Sequence, residues 1–222
     1  MKVLLVYAHP EPNSFNGALR DITVQALLAA GHEVRVSDLY AMQFDPVSDR
    51  RNFKTVKNPA FLKPQAEEVY ATEQDGFAPE LEAEIQKILW CDLMIWQFPL
   101  WWFGLPAILK GWVDRVFAMG RVYGYGHVYE TGLLRGKRAL LSLTTGGPQD
   151  NYIAGGLNGD MNGILRPIHR GMLQFTGMEV LRPEIHHSAA RVDEDQRRRW
   201  LDEWAARLAG IHNETAIDPG QY

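Results

Sequence analysis

The stretch Leu93-Met94-Ile95-Trp96-Gln97-Phe98-Pro99-Leu100-Trp101-Trp102-Phe103-Gly104-Leu105-Pro106 decides the fold. Its first four residues are a short, unbroken apolar run, which fits a strand buried on both faces better than the alternating pattern of a half-solvated one. Ala139-Leu140-Leu141 repeats the signal. Working outward, strands are expected at residues 2–8, 33–38, 92–97, 137–143 and 178–186. Helical periodicity fits residues 17–30, 79–90, 106–117, 161–175 and 193–208, the first closing at Gly31, a natural C′ glycine. Strands alternating with helices predict an α/β domain: a doubly wound, five-stranded parallel sheet with helices on both faces. Residues 40–76 break the pattern. They are polar, carry Pro46, Pro59 and Pro64, and show little periodicity before Glu67. Such a long connection suggests function or ordering by a partner. We expect one domain over residues 1–210 and a surface tail over 211–222.

Composition narrows the function. A formal net charge of -4 gives no electrostatic reason to expect nucleic acid. The basic run Arg197-Arg198-Arg199 lies among acids in a helical pattern and reads as a solvated face. One cysteine, Cys91, rules out an internal disulfide and any cysteine-based metal cluster. No ligand set with metal spacing appears, so no metal is expected. The apolar run at residues 2–8 is too short for a signal or a membrane span, and nowhere do 18 apolar residues run together. The cytoplasm is the expected compartment.

In a doubly wound sheet, ligands sit beyond the carboxyl ends of the strands. After strand one comes His9-Pro10-Glu11-Pro12-Asn13-Ser14-Phe15-Asn16-Gly17. This is either a phosphate cradle at a helix start or a plain N-cap loop. It lacks the glycine patterns of Rossmann and P-loop sites. After strand three, Trp101-Trp102-Phe103 cannot all pack inward from a surface loop. They suit stacking on a flat ring, or a dimer patch, and the two are compatible. After strand four, Thr144-Thr145-Gly146-Gly147 lets backbone approach a ligand, though alone it could be a simple turn. Arg121-Val122-Tyr123-Gly124-Tyr125-Gly126 could line a substrate slot or form a rigid interface turn.

Through these loops the sequence resembles the NAD(P)H:quinone oxidoreductase family over residues 2–208. The words that carry the resemblance are Ser37-Asp38-Leu39-Tyr40-Ala41-Met42, the Phe98–Trp112 block and Thr144-Thr145-Gly146-Gly147. The resemblance implies a dimeric flavodoxin-like fold holding FAD, ahead of FMN, without covalent attachment. It places flavin contacts at His9, Ser14, Phe15, Asn16, Pro99, Leu100, Trp101, Trp102, Phe103, Thr144, Thr145, Gly146, Gly147 and Tyr152, with Arg197 near the adenine. Tyr123, Tyr125 and Phe175 match positions that enclose quinone or nicotinamide over the ring, some supplied by a second subunit. Trp101 replaces the glutamine usual in the mammalian enzymes. There a tyrosine and a histidine stabilise charge during hydride transfer. Tyr152 matches the tyrosine, but the histidine position holds Asn158, which can donate a hydrogen bond yet cannot titrate. The implied reaction is ping-pong: NADPH or NADH gives a hydride to the flavin, then a quinone takes the same slot and receives it. The excess of aromatics, seven Trp, nine Phe and eight Tyr, also points to a homodimer. The alternative is a flavin-binding regulatory subunit docked on a membrane transporter.

Overall fold

The computed structural model describes residues 1–220. The run at the centre of the sequence forms β3, Leu93–Pro99, with every residue buried. It lies between β1 (Lys2–Tyr7) and β4 (Arg138–Thr145), and β2 (Glu33–Asp38) pairs with the other side of β1. All these pairs are parallel, and the order β2-β1-β3-β4 places the reversal of chain direction across the sheet between β1 and β3.

The fifth strand expected over residues 178–186 is two strands, so the sheet has six rather than five. β5 (Glu179–Val180) and β6 (Glu184–His187) both pair in parallel with β4. From Val180 to Glu184 the edge advances four residues while β4 advances three, Ala139 to Ser142. One residue too many, next to a proline that has no N–H for the ladder, breaks the edge strand as a bulge does.

The helices are α1 (Phe15–Ala29), α2 (Pro64–Glu73), α3 (Pro79–Trp90), α4 (Ala107–Val116), α5 (Met161–Ile168) and α6 (Glu194–Ala209). Side chains alternate across each strand, so one sheet feeds two cores. Leu4, Val6, Met94, Trp96 and Leu141 pack under α3, α4 and α5, while Val3, Leu5, Leu93, Ile95 and Leu140 pack under α1 and α6. In the second core Trp204 Nε1 donates to Thr23 Oγ1 at 2.7 Å, joining α6 to α1. Cys91 is fully buried, and burial pushes its thiol up to about 11, leaving it a small hydrophobe.

Three stretches differ from expectation. The helix predicted over residues 161–175 leaves α geometry after Ile168, passing into a π turn (His169–Leu173) and a 3₁₀ turn (Gln174–Thr176). Pro167 sits inside α5, where it removes one backbone donor. Residues 40–76, expected to be irregular, contain α2 and a 3₁₀ turn, and are fastened by buried polar groups. Arg115 donates to Asn52 Oδ1 and to the Asp45 carbonyl, both at 2.7 Å. Glu67 accepts the N–H groups of Lys57 and Asn58 at 2.7 and 2.9 Å. The stretch after Gly210, read as a surface extension, is tied down. Ile211 is buried in the α1–α6 core, Glu214 pairs with Arg207 at 2.6 Å, and the Ile217 N–H donates to the Val180 carbonyl at 2.8 Å.

Candidate active site

The loops after β1, β3 and β4 meet at the β1–β3 switch point and enclose a cleft of about 600 Å³. Open parallel sheets hold their ligands in this place, and the volume lies in the range of small-molecule sites. His9, Ser14, Phe15, Asn16, Pro99, Leu100, Trp101, Trp102, Thr144, Thr145, Gly146 and Arg197 line it, joined by Ala189 and Ala190. Twelve residues singled out in the sequence therefore share one cleft; Ala189 and Ala190, carried by the turn after β6, had no chemical signal to reveal them.

The β1 loop is built around α1. Ser14 caps the helix, its Oγ accepting the Gly17 N–H at 3.2 Å. Gly17 has no substitute, because a Cβ there would fall 1.9 Å from the Pro12 carbonyl oxygen. The first N–H groups of a helix have no acceptor within it, so those of Phe15 and Asn16, both at the cleft, are available to an anion. His9 is oriented by the same loop. Its Nδ1 lies 3.0 Å from Ser14 Oγ and 3.1 Å from both the N–H and the carbonyl oxygen of Glu11. Asn16 is buried, donating to Thr144 Oγ1 at 3.0 Å and accepting from Gln97 Nε2 at 2.9 Å. This chain of side chains fastens the β1 loop to β3 and β4.

The β3 loop is strained. The Gly104 N–H donates to the Trp101 carbonyl at 3.0 Å, closing a four-residue turn whose central residues, Trp102 and Phe103, have φ of 51° and 57°. Positive φ at both centres is the signature of a type I′ turn, which asparagine and glycine normally supply. Two aromatics held there cost about 1–2 kcal/mol each, and such outliers gather at ligand sites. Trp101, Trp102 and Phe103 are 42%, 98% and 51% exposed. Phe103 does not line the cleft of a single chain.

On the β4 side, a Cβ at Gly146 would meet nothing within 4 Å. That space belongs to the cleft, so the glycine is where a ligand can lie against backbone. Gly147 and Tyr152, also expected at the flavin, do not line the cleft of a single chain; Gly147 faces Tyr152, whose ring is buried and packs on His187 at 5.4 Å between centroids. Thr145 Oγ1 lies 2.8 Å from the Gly147 carbonyl and 3.0 Å from His187 Nδ1. Asn158 is held through its N–H to the Asn151 carbonyl at 2.8 Å, beside Tyr152 in the chain. Its side chain does not reach the cleft within one chain. Arg197 donates to the Ala189 and Val192 carbonyls and lines the cleft from the start of α6.

Tyr123, Tyr125 and Phe175 form a separate group. Tyr123 and Phe175 stack at 5.6 Å around a cavity of about 230 Å³, and Tyr125 is 82% exposed. The same cavity holds Glu68, which burial pushes above the usual carboxylate range while it accepts the Met119 N–H at 2.7 Å. Glu68 was invisible in the sequence because α2 itself was.

An open parallel sheet with order 2-1-3-4-5 and a ligand cleft at its switch point defines a flavodoxin-like protein. The family model for that fold matches residues 1–208. More narrowly, the chain belongs to the NAD(P)H:quinone oxidoreductase family. It is 43% identical over 217 residues to human ribosyldihydronicotinamide dehydrogenase [quinone], covering 97% of this chain and 94% of that one. It is 42% identical over 217 residues to NAD(P)H dehydrogenase [quinone] 1 of Cavia porcellus, covering 97% and 79%. A solved structure of a Klebsiella pneumoniae protein, described as a candidate quinone reductase, superposes with a TM-score of 0.93 at 41% identity, covering 98% and 87%. No helix among the described residues is long and apolar enough to cross a membrane.

Proposed function

We propose that the chain binds one flavin per subunit in the 600 Å³ cleft and works as an NAD(P)H:quinone oxidoreductase. The observation that carries this is the convergence of three different kinds of donor on one cleft. Helix-start N–H groups with His9 suit phosphate, the strained Trp101–Gly104 turn offers aromatic surface, and the open backbone at Gly146 suits a flat heterocycle. The flavin would supply the two-electron chemistry. The protein orients it, excludes water with Trp101 and Trp102, and presents the Thr145–Gly147 backbone and Tyr152 to the edge where negative charge develops. FAD is favoured over FMN because Arg197, which matches the adenine-side position of the family, lines the same cleft. Relatives named as dehydrogenases of quinones set the acceptor class, and a lone buried thiol suits the cytoplasm.

The working unit is a two-fold dimer. Trp102, Tyr125 and Leu157, at 98%, 82% and 86% exposed, leave more apolar surface open than a monomer ordinarily keeps. In a dimer the Tyr123–Phe175 wall of one subunit would close the cleft of the other. An absorbance spectrum of the purified protein, with release and identification of the cofactor, tests the flavin. A protein that stays colourless after incubation with FAD and with FMN refutes it. Turnover with NADPH and a benzoquinone separates the enzyme from a docking subunit, and sedimentation at micromolar concentration tests the dimer.

A further inference from the structure

His187 ends β6 between a loop of the active site and a second cleft. On one side is the TTGG loop. On the other is a cleft of about 670 Å³ between β6, α5 and the tail, which His187 lines. The hydrogen bonds around Thr145 fix its tautomer. A hydroxyl carries one proton, and the Gly147 carbonyl 2.8 Å away can only accept, so Thr145 Oγ1 donates there. The contact of 3.0 Å between Thr145 Oγ1 and His187 Nδ1 must then run the other way, with Nδ1–H as donor. That leaves Nε2 with the lone pair. It makes no hydrogen bond to the described residues, and it is not among the sealed polar atoms. His187 can thus take a second proton at Nε2 without breaking its link to Thr145, and Tyr152 lies across its ring at 5.4 Å.

We propose that His187 is the titrating positioning residue of this site, supplying through Thr145 the positive charge that Asn158 cannot. The inference rests on the flavin reading. When NAD(P)H delivers its hydride, one negative charge is added at the edge that Thr145, Gly147 and Tyr152 frame. His187 offsets it by taking one proton from cleft water at Nε2, and returns that proton to the water when the hydride passes to the quinone. Charges balance in both halves. The other groups that face this imidazole are His186 beside it on β6, Glu184 (paired with Arg207 at 2.7 Å), Asp160, Arg166, buried His169, Arg182 and Asp218 around the cleft. Burial holds His187 below the usual histidine range, so it rests neutral at neutral pH and is free to be charged.

The test is a titration of His187 by NMR in the flavin-loaded protein, oxidised and then reduced. The expected result is a Nδ1–H tautomer in the oxidised state and a midpoint that rises by about one pH unit on reduction, a tenfold gain in proton affinity. His187→Asn keeps a donor for Thr145 but cannot titrate. It should retain flavin and lose the pH break in flavin reduction, whereas His187→Phe should lose both the break and the order of the loop. A yellow protein whose His187 midpoint is the same in both redox states overturns the proposal alone. A protein that binds no flavin overturns the flavin reading, and the proposal with it.

Discussion

Tyr152→Phe removes one hydroxyl from the site and little else. The Tyr152 ring is held against His187, a contact between rings that phenylalanine keeps. The hydroxyl has no hydrogen-bond partner among the described residues, so its loss should change folding stability by about 0.5 kcal/mol or less. A hydrogen bond to a group that gains charge is worth about 1.5–3 kcal/mol. At the lower end of that range, the reduction of bound flavin by NADPH should slow by roughly tenfold. Stopped-flow reduction across pH 5 to 9 measures this, with thermal melts as the control. Asn158→His in the same assay should change rates little, because the hydrogen-bond role is open to asparagine as well. A Tyr152→Phe enzyme as fast as the parent would show that Tyr152 is structural, and would refute the assignment of its hydroxyl to the flavin edge.

Three further outcomes are expected. Ser14→Ala should cost about 1 kcal/mol of stability through the lost cap, seen in urea titrations, and should weaken flavin binding because His9 loses the side-chain partner that, with Glu11, orients it. Gly146→Val should fold with a melting temperature close to the parent's, since its Cβ meets nothing, yet bind flavin at least tenfold more weakly by fluorescence titration. His169 is pushed down to about 4 by burial alone, below its unfolded value of about 6.5. The unfolded chain therefore binds the extra proton first. Stability from this group is complete above pH 6.5 and is lost as pH falls toward 4, by at most about 3 kcal/mol. Urea midpoints from pH 7 to 4.5 should fall accordingly, and His169→Phe should flatten that slope.

The sequence alone carried the sheet and the cleft. Unbroken apolar runs such as Leu93–Trp96 can satisfy only a strand covered on both faces, and each must be followed by a loop at the carboxyl edge. That is why His9–Asn16, Pro99–Trp102 and Thr144–Gly146 are neighbours on the sequence pattern alone. What it could not carry were features with no period. α2 is held by Glu67 and by the links of Arg115 to the segment before it, contacts between residues far apart in the chain. The broken edge strand follows from one surplus residue against β4, a count that exists only once the register is set. The strain at Trp102 and Phe103 is likewise a matter of φ, not of residue type. His187 shows the division most sharply. In the sequence it is only the residue after the strand expected over residues 178–186. Its tautomer and its link to Thr145 arise because β4 and β6 lie side by side, which brings residues 145 and 187 within hydrogen-bond reach.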